Sequence, residues 1–404
     1  MSLLGRVLVI TFIESFATTC VERGIYFFSH DYLHFSDVQN LWLALAFGAA
    51  YVLGALVSHA LCLRLREKGL LLLCLGGQLA VHLLMGAWTI APVIVAGSVA
   101  LGLLNGLKWP VIESYIGAGL TPMRTVPVIG RFNLAWSSAV PLALVVIGPI
   151  IASDRSGLFF LAAGINLVSV VLARPLPPHP IHLPEDHPDR PAAGQKLRYE
   201  SLLHASRWLL LAKYSMLWIL AALMPGIFAR LGVSVSVAAG LSGLVDLMRA
   251  VAFALLLAWQ GWHNRTGPIV LSVIALPAGF FLVLFGQGMT AVLGGEVLFG
   301  LAGGVVYYAA LYYAMVVKNA SVEAGGGHEG LIGLGFAVGP AAGLAGVALG
   351  PVLGGELPGT LAGVGPLLAA CTIGALWSLR AILAGQARPS PEAPNLESDI
   401  KKGP

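Results

Sequence analysis

Glu14, Thr18 and Glu22 recur at four-residue steps in the stretch TFIESFATTCVERG, residues 11–24, in a run otherwise made of Leu, Val, Ile and Phe. With Thr11 and Ser15 they form one polar stripe along an apolar helix. Similar apolar runs carry Asn105, Lys108 and Glu113; Arg131 and Asn133; Lys213; Ser242, Asp246 and Arg249; and Glu296. A charge at the centre of a membrane helix costs roughly 2.5–3.5 kcal/mol on insertion scales, so such residues face a cavity or each other. Carboxylates there, balanced between desolvation and a neighbouring cation, can load and release protons. The chemistry on offer is solute binding and proton carriage rather than bond breaking, since no nucleophile–base spacing or metal-ligand cluster occurs within these runs.

Glu14 and Asp246 lead the candidates for proton or substrate coupling, joined by Thr18, Asn105, Lys108, Glu113, Arg249 and Glu296. Asp246 and Arg249 are three apart and can pair on one face, which also admits a purely static ion pair. Glu22 and Arg23 read as an interfacial pair at a helix end. Lys213 can snorkel to the surface. Tyr308 and Tyr312 share a helix face, and with Trp109 they are the expected aromatic cavity wall. Aromatic groups with mixed charges suit a medium-sized organic molecule better than a bare metal ion.

These residues require a bilayer around them. Hydrophobic residues make up 57% of the 404 positions and charged residues 10%, against roughly 25% charged in soluble domains. The chain is expected to be an all-α integral membrane protein without a nucleic-acid partner, and its net charge of +4 says nothing about nucleic acid. Runs of about 20 apolar residues, enough to cross a hydrocarbon core, fall near 7–28, 41–62, 69–88, 91–118, 127–152, 156–173, 206–229, 235–259, 268–287, 290–317, 329–354 and 358–384. The first reads as a spanning helix rather than a cleaved leader. Twelve helices thus form two groups of six: residues 1–173, a proline-rich linker 174–205, residues 206–384, and a tail 385–404. The end of the linker region, LRYESLLHASRW, is expected to be a surface-lying amphipathic helix. His179, His182 and His187 of the linker are taken as solvated, with metal sensing as the lesser reading.

Lys and Arg fall on one side. Arg64, Arg66, Lys68, Arg124, Arg174, Arg190, Lys196, Arg198, Arg207, Arg265 and Lys318 occupy the odd-numbered inner connections, and Arg388, Lys401 and Lys402 the tail, against only Arg155 and Arg230 outside. Both termini are therefore placed in the cytoplasm. A shift of 198 positions lays GLLNGLKWPVIESY (102–115) on GLAGGVVYYAALYY (300–313), and RFNLAWSSAVP from Arg131 on EGLIGLGFAVG from Glu329. Repeated six-helix halves with a site between them are one way to build a transporter.

On the helix count, the central loop, the half-repeat and local motifs, the sequence resembles the major facilitator superfamily. That family's 2–3 loop pattern G-x-x-x-D-R-x-G-R-R is partly matched by GALVSHALCLRLREKG (54–69), where Gly54, Arg64, Arg66 and Lys68 fit and Ser58 replaces the acid. Its antiporter pattern G-x-x-x-G-P-x-x-G-G occurs as GVALGPVLGG (346–355), but in the eleventh span instead of the fifth, where a packing role is the simpler reading. The resemblance implies two pseudo-symmetric six-helix bundles around a central site, lined in part by the first helix. It implies a monomeric secondary transporter of a small organic solute, without cofactor or enzymatic activity, in the plasma membrane (a bacterial inner membrane). No GxxxxGK[ST] loop supports ATP-driven transport; coupling to protons is expected, with export as the favoured direction. Arg64, Lys68, Arg131 and Glu329 are the expected gating residues, with Glu329 reaching the basic loop when the carrier opens outward. The alternatives are a lipid or amphiphile flippase on the same fold, or a transport-inactive sensor or partner-binding protein.

Overall fold

The computed structural model describes residues 2–116, 122–180, 193–318 and 322–384. His182, His187, Arg190, Arg388, Lys401 and Lys402 lie outside them, as do the side chains of Arg124 and Lys318. The described chain is helical throughout, with no strand: α1 (Leu3–Glu22), α2 (Gly24–Tyr32), α3 (Asp37–Ala87), α4 (Ala91–Ile116), α5 (Pro122–Ser153), α6 (Gly157–Ala173), α7 (Ala193–Arg230), α8 (Val235–Leu241), α9 (Leu244–Ala258), a short 3-10 turn (Gln260–Trp262), α10 (Gly267–Phe285), α11 (Met289–Lys318), α12 (Val322–Leu353) and α13 (Glu356–Leu383). Among the described residues, ten segments are long and apolar enough to cross a membrane, including Leu3–Tyr32 and Val235–Ala258, which each join two helices. The expected twelve crossings follow only if α3 counts twice and the 17-residue α6 once.

Counting α3 twice has a physical basis. A straight helix of 51 residues would run about 77 Å, more than twice the roughly 30 Å of a hydrocarbon core. Arg66 interrupts it with φ 63° and ψ 161°, a backbone region costly for any residue but glycine. The expected 2–3 loop is thus a single-residue reversal. The linker braces it: the Lys68 amide donates to the Pro178 carbonyl at 3.4 Å, and His179 Nδ1 meets Glu67 Oε2 at 2.5 Å. The segment LRYESLLHASRW is no separate surface helix, because it runs unbroken into the apolar part of α7.

Glycine sets how the long helices meet. A methyl group added to Gly102 would lie 2.5 Å from the Phe47 carbonyl oxygen, and one on Gly106 would strike that of Tyr51, so α4 packs backbone to backbone on α3. In the repeat, Gly300 closes on the Val245 carbonyl and Gly304 on that of Arg249, 3.0 Å away. Phe47 and Val245, like Tyr51 and Arg249, are also 198 positions apart. The offset read from sequence therefore governs contacts as well as residue types. The GVALGPVLGG run works the same way: Gly346 and Gly350 face Gly359 of α13, and Gly354 and Gly355 turn the chain with φ of 85° and 153°. Across the repeat, α3 packs on α12, and α5 on α8 and α9.

Candidate functional site

A cavity lies where the two repeats meet, with about 110 Å³ open to the centres of water molecules; one water needs roughly 10–15 Å³ on that measure. Its walls come from α1 (Ser15, Thr18, Thr19, Glu22), Arg23 at the α1–α2 junction, α3 (Tyr51), α4 (Trp109, Glu113), α5 (Phe132, Trp136, Val140), α7 (Tyr214, Leu217, Trp218), α9 (Asp246, Arg249), α11 (Tyr307) and α12 (Glu329, Ile332, Phe336). Every expected polar stripe that reaches the cavity does so because its helix turns that face inward.

The cavity has two charged groupings. In one, Asp246 holds Arg23 at 3.2 Å and Arg249 at 2.8 Å, and the Arg249 guanidinium lies over the Trp136 ring, 4.4 Å from its centroid. This knot ties α1 to α9. In the other, the Tyr51 hydroxyl donates to Glu329 Oε2, and Glu113 and His328 lie beside Glu329. Between them run aromatic walls: Phe336 stacks on Trp218 at 3.5 Å and 19°, and Trp136 meets Tyr307 edge-on at 4.8 Å.

Of the residues expected from sequence, Thr18, Trp109, Glu113, Asp246, Arg249 and Glu329 line the cavity. Asp246 and Arg249 pair as their spacing allows, with Arg23 as a second partner. Tyr308 and Tyr312 do not line it. Their shared face turns toward the 3-10 turn, where Tyr308 meets Trp262 and Tyr312 stacks on His263; Tyr307, one position and about 100° away, faces the cavity instead. Glu22 and Arg23, read as an interfacial pair, are cavity residues, and Arg23 bonds across to α9 rather than to its neighbour. Arg64 and Arg131 are exposed and Lys68 is half-buried, while Glu329 is buried against Tyr51. The Glu113–His328–Glu329 grouping escaped the sequence because two separate helices build it.

Glu14, Asn105 and Lys108 sit behind the α1 wall in a closed network. Lys108 Nζ donates to Glu14 at 2.8 Å, Thr18 at 3.1 Å and Gln78 at 3.0 Å. Asn166 donates to both Glu14 oxygens at 3.0 and 3.2 Å, and its own oxygen contacts His82 at 2.6 Å. Gln78 Nε2 donates to Asn105 at 2.6 Å. Glu296 is buried away from the cavity, with neither oxygen partnered among the described residues.

A family profile described as Major Facilitator Superfamily matches residues 7–344. The chain belongs to the Major Facilitator Superfamily. Solved structures agree on the fold: the human organic anion transporter MFSD10 (TETRAN) at 15% identity, with 92% of this chain and 98% of that one covered and a TM-score of 0.63, and the nucleoside transporter NupG at 11% identity, with 95% and 99% covered and a TM-score of 0.64. A search of curated proteins finds no match. As a superfamily member the chain is a multi-pass membrane transporter. Chemically, the cavity of this transporter can hold an aromatic or heterocyclic body between ring faces while offering charge of both signs.

Proposed function

We propose that this chain is a proton-coupled secondary carrier of a small organic solute, working by alternating access of residues 1–173 and 206–384 around the cavity. The observation that carries the reading is a cavity walled by both repeats, with Arg23, Asp246 and Arg249 in one charged group and Glu113 and Glu329 in the other. A flippase pathway would call for apolar residues low in the cavity and few polar groups on one wall; charged groups supplied by α1, α4, α9 and α12 favour a water-soluble solute. The solved neighbours are named as transporters of an organic anion and of a nucleoside, both organic solutes.

Glu22 is the best placed proton carrier. It lines the cavity and makes no ion pair among the described residues, whereas Glu14 and Asp246 are each held by a cation. The charged groups around it are Arg23, Lys108 of α4, Asp246 of α9 and Glu329 of α12. Protonation removes the cost of an unpaired charge inside the span, and on opening to water the carboxyl group releases the proton to water and its charge is hydrated. The one-sided Lys and Arg distribution supports cytoplasmic termini in a plasma membrane, and export is the working direction.

Proteoliposomes test the reading. Compounds that raise the melting temperature of purified protein are offered to vesicles under an imposed pH gradient. Uphill solute movement that Glu22→Gln reduces to pH-insensitive exchange supports the proposal. Scrambling of fluorescent lipid with no solute flux would install the flippase reading instead. Inside-out and right-side-out vesicles separate export from uptake.

A further inference from the structure

Glu113 of α4 and His328 and Glu329 of α12 each offer a ligand atom within 4.8 Å of the other two. Their exposures are 1%, 0% and 5%. Oε2 of Glu113 and both ring nitrogens of His328 have no hydrogen-bond partner among the described residues. The carboxyl groups of Glu113 and Glu329 hydrogen-bond to each other, which brings two oxygen donors to one point, and an imidazole with two idle nitrogens is a ligand in search of a centre. Neither nearby cation of α7 fills the gap: Arg207 and Lys213 make no ion pair with the group among the described residues, and Lys213 lies over the Tyr214 ring at 3.4 Å.

We propose that Glu113, His328 and Glu329 bind a divalent first-row transition ion of the zinc class, entering from the cavity. Two carboxylate oxygens and one imidazole nitrogen match the donors such ions take. Donors about 2.1 Å from a common ion lie at most about 4.2 Å apart, so side-chain rotation supplies the small contraction required. Glu113 and Glu329 line the cavity, which gives the ion a way in and leaves its remaining position open to water or solute. Tyr51 holds Glu329 Oε2 as an outer partner. The Tyr307 ring meets the His328 imidazole edge-on at 5.3 Å and 77°, steadying its plane. An ion held there joins α4 to α12, and so one repeat to the other.

The test uses full-length protein in detergent, purified behind a tag without histidine. Co²⁺ alone is titrated while the visible absorption is recorded; separately, Zn²⁺ is added, the sample desalted, and retained metal measured by mass spectrometry. The expected result is a single retained equivalent, Zn²⁺ displacing Co²⁺, and a higher melting temperature with Zn²⁺. His328→Ala and Glu113→Gln are each expected to weaken binding by more than about tenfold, the least that loss of even an outer partner costs. Replacing the linker residues His179, His182 and His187 together with Ala should leave binding intact. Wild-type protein that retains no metal and shows no thermal shift overturns the proposal, as does undiminished affinity in His328→Ala. Metal binding is measured without solute or pH gradient, so this result and the Glu22 experiment can fail independently.

Discussion

Lys108 and Lys213 are both fully buried lysines, one in each repeat, and they are housed in opposite ways. Lys108 donates to Glu14, Thr18 and Gln78 at 2.8–3.1 Å, inside a network drawn from α1, α3, α4 and α6. Lys213 has no hydrogen-bond partner for its ammonium among the described residues; it lies over Tyr214 and packs its stem on Gly303. Gly303 is 198 positions beyond Asn105, so the small residue that admits the Lys213 stem replaces an amide of the first network. The scaffolds match and their fillings do not. The repeat copied a hull, and each copy settled its interior charge separately: by an ion pair in one case, by an aromatic face in the other.

The largest effect should come from breaking the first arrangement. Glu14→Ala leaves Lys108 and Asn166 without their acceptor and is expected to cost about 3–5 kcal/mol, read as a steep fall in melting temperature in detergent. The double variant Glu14→Leu/Lys108→Met removes both charges and should recover most of that loss. A double variant no better than the single would mean that the two charges do not act as a pair. Next in size, Gly102→Ala and Gly300→Ala should each destabilise by about 1–3 kcal/mol through backbone overpacking. Equal costs would sharpen the claim of a shared hull, and a large inequality would break it. Lys213→Met trades an unpaired ammonium for an apolar side chain of similar length; its melting temperature should stay level or rise, and a fall as deep as that of Glu14→Ala would erase the contrast.

The turns between paired helices extend the comparison at smaller scale. His263 in the turn between α9 and α10 is stacked on Tyr312, and burial pulls its imidazole from 6.5 down to about 4. Its folded value lies below its unfolded one, so it favours folding when neutral, above pH 6.5, and that contribution fades as pH falls toward 4. His263→Phe should therefore flatten melting temperature against pH between those values, whereas replacing Arg64 in the exposed 2–3 turn should leave the profile unchanged.

Much of the scaffold was legible in the residues, because a bilayer imposes length and apolarity on every span. The 198-position offset read there also relates the carbonyls that the glycines meet. The cavity was half legible. Insertion cost says that Glu14, Lys108, Asp246 and Glu329 must be sheltered, yet shelter among packed helices and shelter beside a wet cavity leave the same mark on a sequence. Glu14 took the first and Asp246 the second. A rotation of about 100° separates Tyr308 from Tyr307, and helical spacing alone does not orient the stripe. Glu22 and Arg23 were misplaced because distance along the helix suggested a surface. The reach of Arg23 to Asp246 depends on a partner 223 positions away.

The reversal at Arg66 carries a mechanical implication. With no slack between its arms, α3 cannot let one arm slide while the other stays still; any tilt of the first must drag the second and tug on Pro178 and His179. The described start of the connector, at Pro178 and His179, is thereby fastened to this reversal, so a displacement of either is passed to the other.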